Sequence, residues 1–234
     1  MSVTIANTLD SYSEVGGSSL LTGLFGYWKL DEVSGNAVDS TGSGYTGISS
    51  NITYNASGKI SRCYTFNGST SKVVIGNVIK PTTALSFSIW IKDGGQSTER
   101  HIIGHTIYDT DWRGWRFTRY NDGSAGVLMS AGSGTYLDVA FGSTYNNDAW
   151  HHVVFTWNGT TAYVYENGTK NAGWAWNNTI SYGATHNLTF GANDSGGQVY
   201  DGEVDEIAIA NRAWTDTEAG WLYNSGSGLA YPFS

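Results

Sequence analysis

The stretch "YDGEVDEIAIANRAW", beginning at Tyr200, spaces three chemically distinct residues two apart: Glu203, Asp205 and Ile207. Strand alternation puts Asp205, Ile207 and Ile209 on one face and Val204, Glu206 and Ala208 on the other. The isoleucines mark the expected core side, so Asp205 is expected among apolar neighbours. An unpaired buried charge is costly, so that position calls for a cation, a row of donors, or an escape at the sheet edge. A second group of candidates lies in "HTIYDTDWRGWRFTRY", where His105, Tyr108, Asp109, Asp111, Trp112, Arg113 and Trp115 crowd one loop and strand. "GWAWNN" adds Trp174 and Trp176, two apart on an extended segment. Sugars pack a C–H-rich face on aromatic rings, and their hydroxyls need Asp, Asn or Arg partners. Asp109, Asp111, Trp112, Arg113, Trp174 and Trp176 supply that combination, which also suits a protein interface. The competing expectation is that Trp115 and one of Trp174 and Trp176 only fill the core.

Other reactive types have weaker patterns. His151 and His152 are adjacent on a strand, so they point to opposite faces and cannot easily share one ion; His152 is expected as a packed core histidine. Cys63 is a lone cysteine, which excludes an intrachain disulfide and reads as a small buried side chain. No glycine-rich phosphate loop precedes a helix, and no serine sits in a nucleophile elbow.

The elements that must position these residues are mostly strands. "ALSFSIWIKD" alternates Leu85, Phe87, Ile89 and Ile91 against Ser86, Ser88, Trp90 and Lys92. "WHHVVFTWNGTTAYVYENGTK" reads as two strands joined at Asn158-Gly159 and closed by a turn at Asn167-Gly168, dipeptides that supply the positive φ angles of tight hairpins. Asp122-Gly123 serves similarly after "GWRFTRY". One helix is expected, in "TDTEAGWLYNSG", with Thr215 and Glu218 spaced as a capping box. Residues 1–22 are polar and read as an extended arm; residues 23–234 form one domain. Many short strands with one brief helix predict an all-β, two-sheet antiparallel sandwich or jelly roll.

Composition narrows the function classes. Among 234 residues, 31 are glycine and 2 proline, and aromatic residues reach 14%, favouring turns and strands over helices. The net charge of −8 and the lack of a basic cluster argue against nucleic acid and against anionic membranes. No run of about 18 apolar residues suits a membrane span, and the first residues do not read as a signal peptide.

"GYWKLDEVSGNAVDSTGSGYTG", "CYTFNGSTSKVVIG", "LSFSIWIK", "WHHVVFTWNGTTAYVYENG", "LTFGAN" and "YDGEVDEIAIANRAWTDTEAGWLY" follow one another as in LamG-like jelly-roll domains, and the chain resembles these members of the concanavalin A-like lectin/glucanase superfamily over residues 24–224. The resemblance implies a structural calcium held by Asp39 and Asp205 with loop carbonyls, which hard-cation chemistry allows. The competing expectation is an Asx turn at Asp39 and main-chain donors on Asp205. The laminarinase-like relatives carry Glu-x-Asp-x-Glu; here the third carboxylate is Ile207, so no enzymatic activity is expected and glycoside hydrolysis is a distant alternative.

The chain is also similar to phage-encoded virion proteins of this class. That implies synthesis in a host cytoplasm, display on the virion surface, and attachment to other virion proteins through the N-terminal arm, with a homo-oligomer compatible. The expected task is adhesion to surface glycans, with pure virion assembly or capsid decoration as the alternative.

Overall fold

The computed structural model describes residues 18–233 apart from 56, 96, 107–111 and 143–144. Numbered in chain order, nine strands among these residues form one antiparallel sheet. Its path runs β13 (Thr169–Lys170), β12 (Thr161–Glu166), β11 (Trp150–Trp157), β6 (Leu85–Asp93), β16 (Asp201–Ala210), β4 (Cys63–Asn67) and β3 (Thr53–Asn55). Beside this path β1 (Leu24–Trp28) pairs with β16 and β14 (Trp174–Ala175) with β12. Seven strands form the second sheet: β10 (Thr135–Phe141), β9 (Ala125–Gly132), β8 (Arg113–Arg119), β7 (Arg100–Thr106), β15 (Leu188–Phe190), β5 (Lys72–Gly76) and β2 (Ile48–Ser50). The result is the expected jelly-roll-like sandwich with one short helix, α1 (Asp216–Tyr223), near the C-terminus. Residues 18–21 form a helical turn with Leu20 buried, so part of the predicted 1–22 arm packs on the domain; residues 1–17 lie outside the described residues.

Alternation builds the core. Phe87, Ile89 and Ile91 of β6 and Val153, Phe155 and Trp157 of β11 meet Trp115 and Phe117 of β8 and Val127 and Met129 of β9. Fully burying each such side chain contributes roughly 1.5–3 kcal/mol. Phe87 stacks on Trp115 and on Phe155, tying the sheets together at their centre. At one end a buried ion pair also crosses between them: Arg119 Nε donates to Asp93 Oδ2 at 2.9 Å. Burial pushes the Asp93 carboxyl up, against the pull of the Arg119 guanidinium.

A second apolar cluster covers the outward face of the nine-stranded sheet. Tyr27, Val154, Tyr165, Ala208 and Ala210 receive Leu20, Trp214, Ala219, Leu222 and Phe233. Small Ala208 and Ala210 let the helical layer approach. Thr215 and Glu218 form the predicted capping box, and Arg212 clamps Glu218 at 2.5 Å.

The face assignment at Asp205 needs correcting. Residues 201–204 of β16 pair with β4, residues 207–210 pair with β1, and a bulge lies between Asp205 and Ala208 relative to β6. Glu206 takes φ 52° there. The extra residue shifts the phase, so Val204, Ile207 and Ile209 all enter the core. Asp205 lies opposite Trp90 instead, on the face away from the isoleucines.

Candidate functional site

The outward face of the seven-stranded sheet carries three rows of aligned residues. Gly104, Arg116, Leu128 and Asp138 form one, across β7 to β10. His101, Thr118, Gly126 and Ala140 form the next on one side, and Thr106, Gly114, Ser130 and Tyr136 the next on the other. Two glycines make room for large neighbours. A Cβ at Gly126 would lie 2.3 Å from the Tyr120 ring, and one at Gly104 would lie 2.8 Å from Arg116 Cβ. The small floor thus lets Tyr120 and Arg116 lie along the sheet.

Above that floor stand Trp112 and Tyr136, 37% and 48% exposed, the only two large aromatic side chains with that much exposure among the described residues. Their ring centroids are 5.3 Å apart and their planes cross at 49°. The Arg116 guanidinium lies 5.7 Å from the Trp112 ring centroid and 3.4 Å from Glu99. The Arg116 side chain is only 6% exposed, so it stiffens Trp112 from beneath. Tyr120 donates to the exposed Asp138 carboxylate at 2.6 Å. Burial and that acceptor push the Tyr120 phenol up, so it stays a donor at any ordinary pH. His101 is fully buried and pushed down to about 3, first by burial and then by the Arg116 charge, so it is neutral. The chemistry offered is two angled aromatic faces beside a carboxylate acceptor.

The structure sorts the predicted residues. Trp112 is at the site. Arg113 is one residue out of phase: it belongs to the series Arg113, Trp115, Phe117 and Arg119, which faces the other sheet. Asp109 and Asp111 lie outside the described residues. Trp176 is a correction to the binding set: it is 4% exposed, its ring packs 5.0 Å from Trp157, and its carbonyl accepts from Trp157 Nε1. Trp174 packs against the same core and belongs to the nine-stranded sheet, opposite the sheet that carries Trp112. Tyr136, Arg116, Asp138, Tyr120 and Glu99 were missed. A signal was present: positions 112, 114 and 116 share a strand face, as do 136 and 138.

Asp39 and Asp205 share no hydrogen-bond donor. Asp39 Oδ1 accepts from Tyr27 N and from Thr41 N and Oγ1, an Asx-turn arrangement, while Oδ2 accepts from Tyr45 N at 3.2 Å. Asp205 Oδ2 accepts from Ile60 N, while its buried Oδ1 has no partner. Burial pushes Asp205 up to about 9 and Glu206 up to about 7. The oxygens with room for a cation are Asp205 Oδ1, which has no partner, and Asp39 Oδ2, which accepts a single hydrogen bond. Among the described residues no three His, Cys, Asp or Glu side chains are placed to hold a metal.

Catalytic geometry is also displaced. Glu203 is held by Asn55 and Lys92, and Asp205 is buried beneath residues 58–60. Ser88 and His152 are 2.8 Å apart but both buried, His152 is stacked against Trp90 and Tyr223, and its Nδ1 has no partner to orient it.

Residues 67–220 match the family model described as the concanavalin A-like lectin/glucanases superfamily. No curated protein matches the chain. Solved structures are similar at low identity. The binding domain of Paraclostridial Mosquitocidal Protein 1 is 17% identical with a TM-score of 0.71, covering 88% of this chain and 53% of its own. The ligand binding domain of botulinum neurotoxin serotype D, solved with N-acetylneuraminic acid, is 16% identical with a TM-score of 0.68, covering 89% and 52%. The chain therefore spans about half the length of these toxin domains. Domain 4 of AbnA, an extracellular arabinanase from Geobacillus stearothermophilus solved with arabinotriose, is 21% identical with a TM-score of 0.65, covering 84% and 96%.

Proposed function

The chain belongs to the concanavalin A-like lectin/glucanase superfamily, and on that premise we propose that it is a non-catalytic adhesion module that grips surface glycans on the outward face of its seven-stranded sheet. One observation carries the reading: Trp112 and Tyr136 are exposed, in contact, and backed by the buried Arg116. Exposed aromatic pairs braced from below are a costly way to leave a surface unless something packs on them. That similar structures include a domain solved with arabinotriose and another solved with N-acetylneuraminic acid supports a sugar as the partner.

The finer form of the proposal is display on a phage virion after synthesis in the host cytoplasm, attached to other virion proteins by the N-terminal arm. Its support is the resemblance in sequence. A structural calcium at Asp39 and Asp205 stays in the proposal, supported by the unpartnered Asp205 Oδ1. A lower Tm after chelation supports it, and an unchanged Tm in protein shown to start metal-loaded removes it.

The second reading is a pure assembly or decoration part. Its favouring observation is the exposure of Ile48 on edge strand β2, and of Val33 and Val38, apolar side chains that another protein could cover. A glycan array separates the two. The adhesion reading expects binding by the parent and its loss in Trp112→Ala; an array on which the parent binds nothing leaves assembly in possession.

A further inference from the structure

We infer that this platform selects neutral, flexible oligosaccharide chains and rejects both acidic glycans and flat crystalline polysaccharides. The inference rests on the glycan reading and narrows it to a ligand class.

The first ground is shape. A crystalline polysaccharide presents a plane, which coplanar aromatic rings match. Trp112 and Tyr136 cross at 49°, so no plane can lie on both. Adjacent sugars of a soluble chain can turn relative to one another about their linkage, so successive residues can meet rings that are angled this way. Nor can the rings flatten easily: the Arg116 guanidinium braces Trp112, while Arg116 is itself tethered to Glu99 at 3.4 Å.

The second ground is charge. Among the described residues the cation at the platform is Arg116, and it is 6% exposed, paired with Glu99 and covered by Trp112, so it presents no open fork to a carboxylate or sulfate. The charge that does face solvent is Asp138, in the row beside Tyr136. Arg113 belongs to the opposite face. The chain carries −8 overall. An anionic sugar would approach a net-negative protein and meet the exposed Asp138 carboxylate, whereas a neutral sugar hydroxyl can donate to that same carboxylate.

The test is affinity electrophoresis and calorimetry of the full chain against debranched arabinan, galactan and mannan as neutral soluble polymers. Polygalacturonate and polysialic acid serve as acidic ones and microcrystalline cellulose as the flat one. The expected result is binding to at least one neutral polymer, weakened at least tenfold by Trp112→Ala or Tyr136→Ala, with no binding to the acidic or crystalline materials. Asp138→Lys should then admit polygalacturonate, most strongly at low salt. If the parent binds an acidic or crystalline polymer and Trp112→Ala abolishes it, the ligand class is wrong while the glycan reading stands. If binding is indifferent to both aromatic substitutions, the site is wrong. If no polymer binds, the glycan reading fails and takes this inference with it.

Discussion

Asp205, His101 and His152 show how this fold treats charge at single positions: burial pushes each toward its neutral form, and it raises the Glu206 carboxyl as well. His101 and His152 are both pushed down to about 3 by burial, against an ordinary 6.5. Their folded values are depressed, so the stability they contribute is complete above pH 6.5 and is lost as pH falls from 6.5 toward 3. His101→Leu, which also removes two buried ring nitrogens with no hydrogen-bond partner, should flatten that slope. Urea midpoints at pH 7 and pH 4 check this: the parent should lose more between them than the variant, and equal losses would count against it. The sequence named Asp205 as unusual and posed the right question of what compensates it. The bulge was not legible, because its signature is a positive φ at Glu206, a residue type that gives no warning of it. Trp112 was legible from its polar surroundings. Its partner Tyr136 is 24 positions away in sequence on another strand (136 − 112), a contact set by the sheet and not by any local pattern.

The elements that local rules specify were legible nearly to the residue. The β11–β12 hairpin turns at Asn158-Gly159, with Asn158 Oδ1 accepting from Thr160 N and Thr161 N. The capping box starts α1 where Thr215 and Glu218 predict it. Thr215→Ala should cost about 1 kcal/mol, the usual loss of an N-cap, read as a lowered thermal midpoint. What local rules could not supply is how the two sheets dock. Asp93 and Arg119 look like ordinary strand-end charges in sequence, yet they form a buried pair between β6 and β8. Asp93→Ala strands the Arg119 charge and should cost about 3–5 kcal/mol, while Asp93→Leu with Arg119→Met should recover most of it. A double variant no more stable than the single would show that the pair, and not the stranded charge, carries the energy.

At the scale of the molecule the two outward faces have different fates. The nine-stranded sheet is capped by α1, residues 18–21 and the C-terminal residues, which seal Tyr27, Ala208 and Ala210. The seven-stranded sheet leaves Trp112 and Tyr136 in solvent, so this is the face with surface to spend on a partner. Trp174 and Trp176 lie on the other sheet, packed against or within the core. The most direct measurement is a calorimetric titration of the neutral soluble glycan that binds the parent best, repeated on Trp112→Ala and Trp174→Ala. The account predicts that Trp112→Ala weakens binding at least tenfold, about 1.4 kcal/mol, while Trp174→Ala binds as the parent does. Equal affinity in parent and Trp112→Ala, or loss confined to Trp174→Ala, would contradict it.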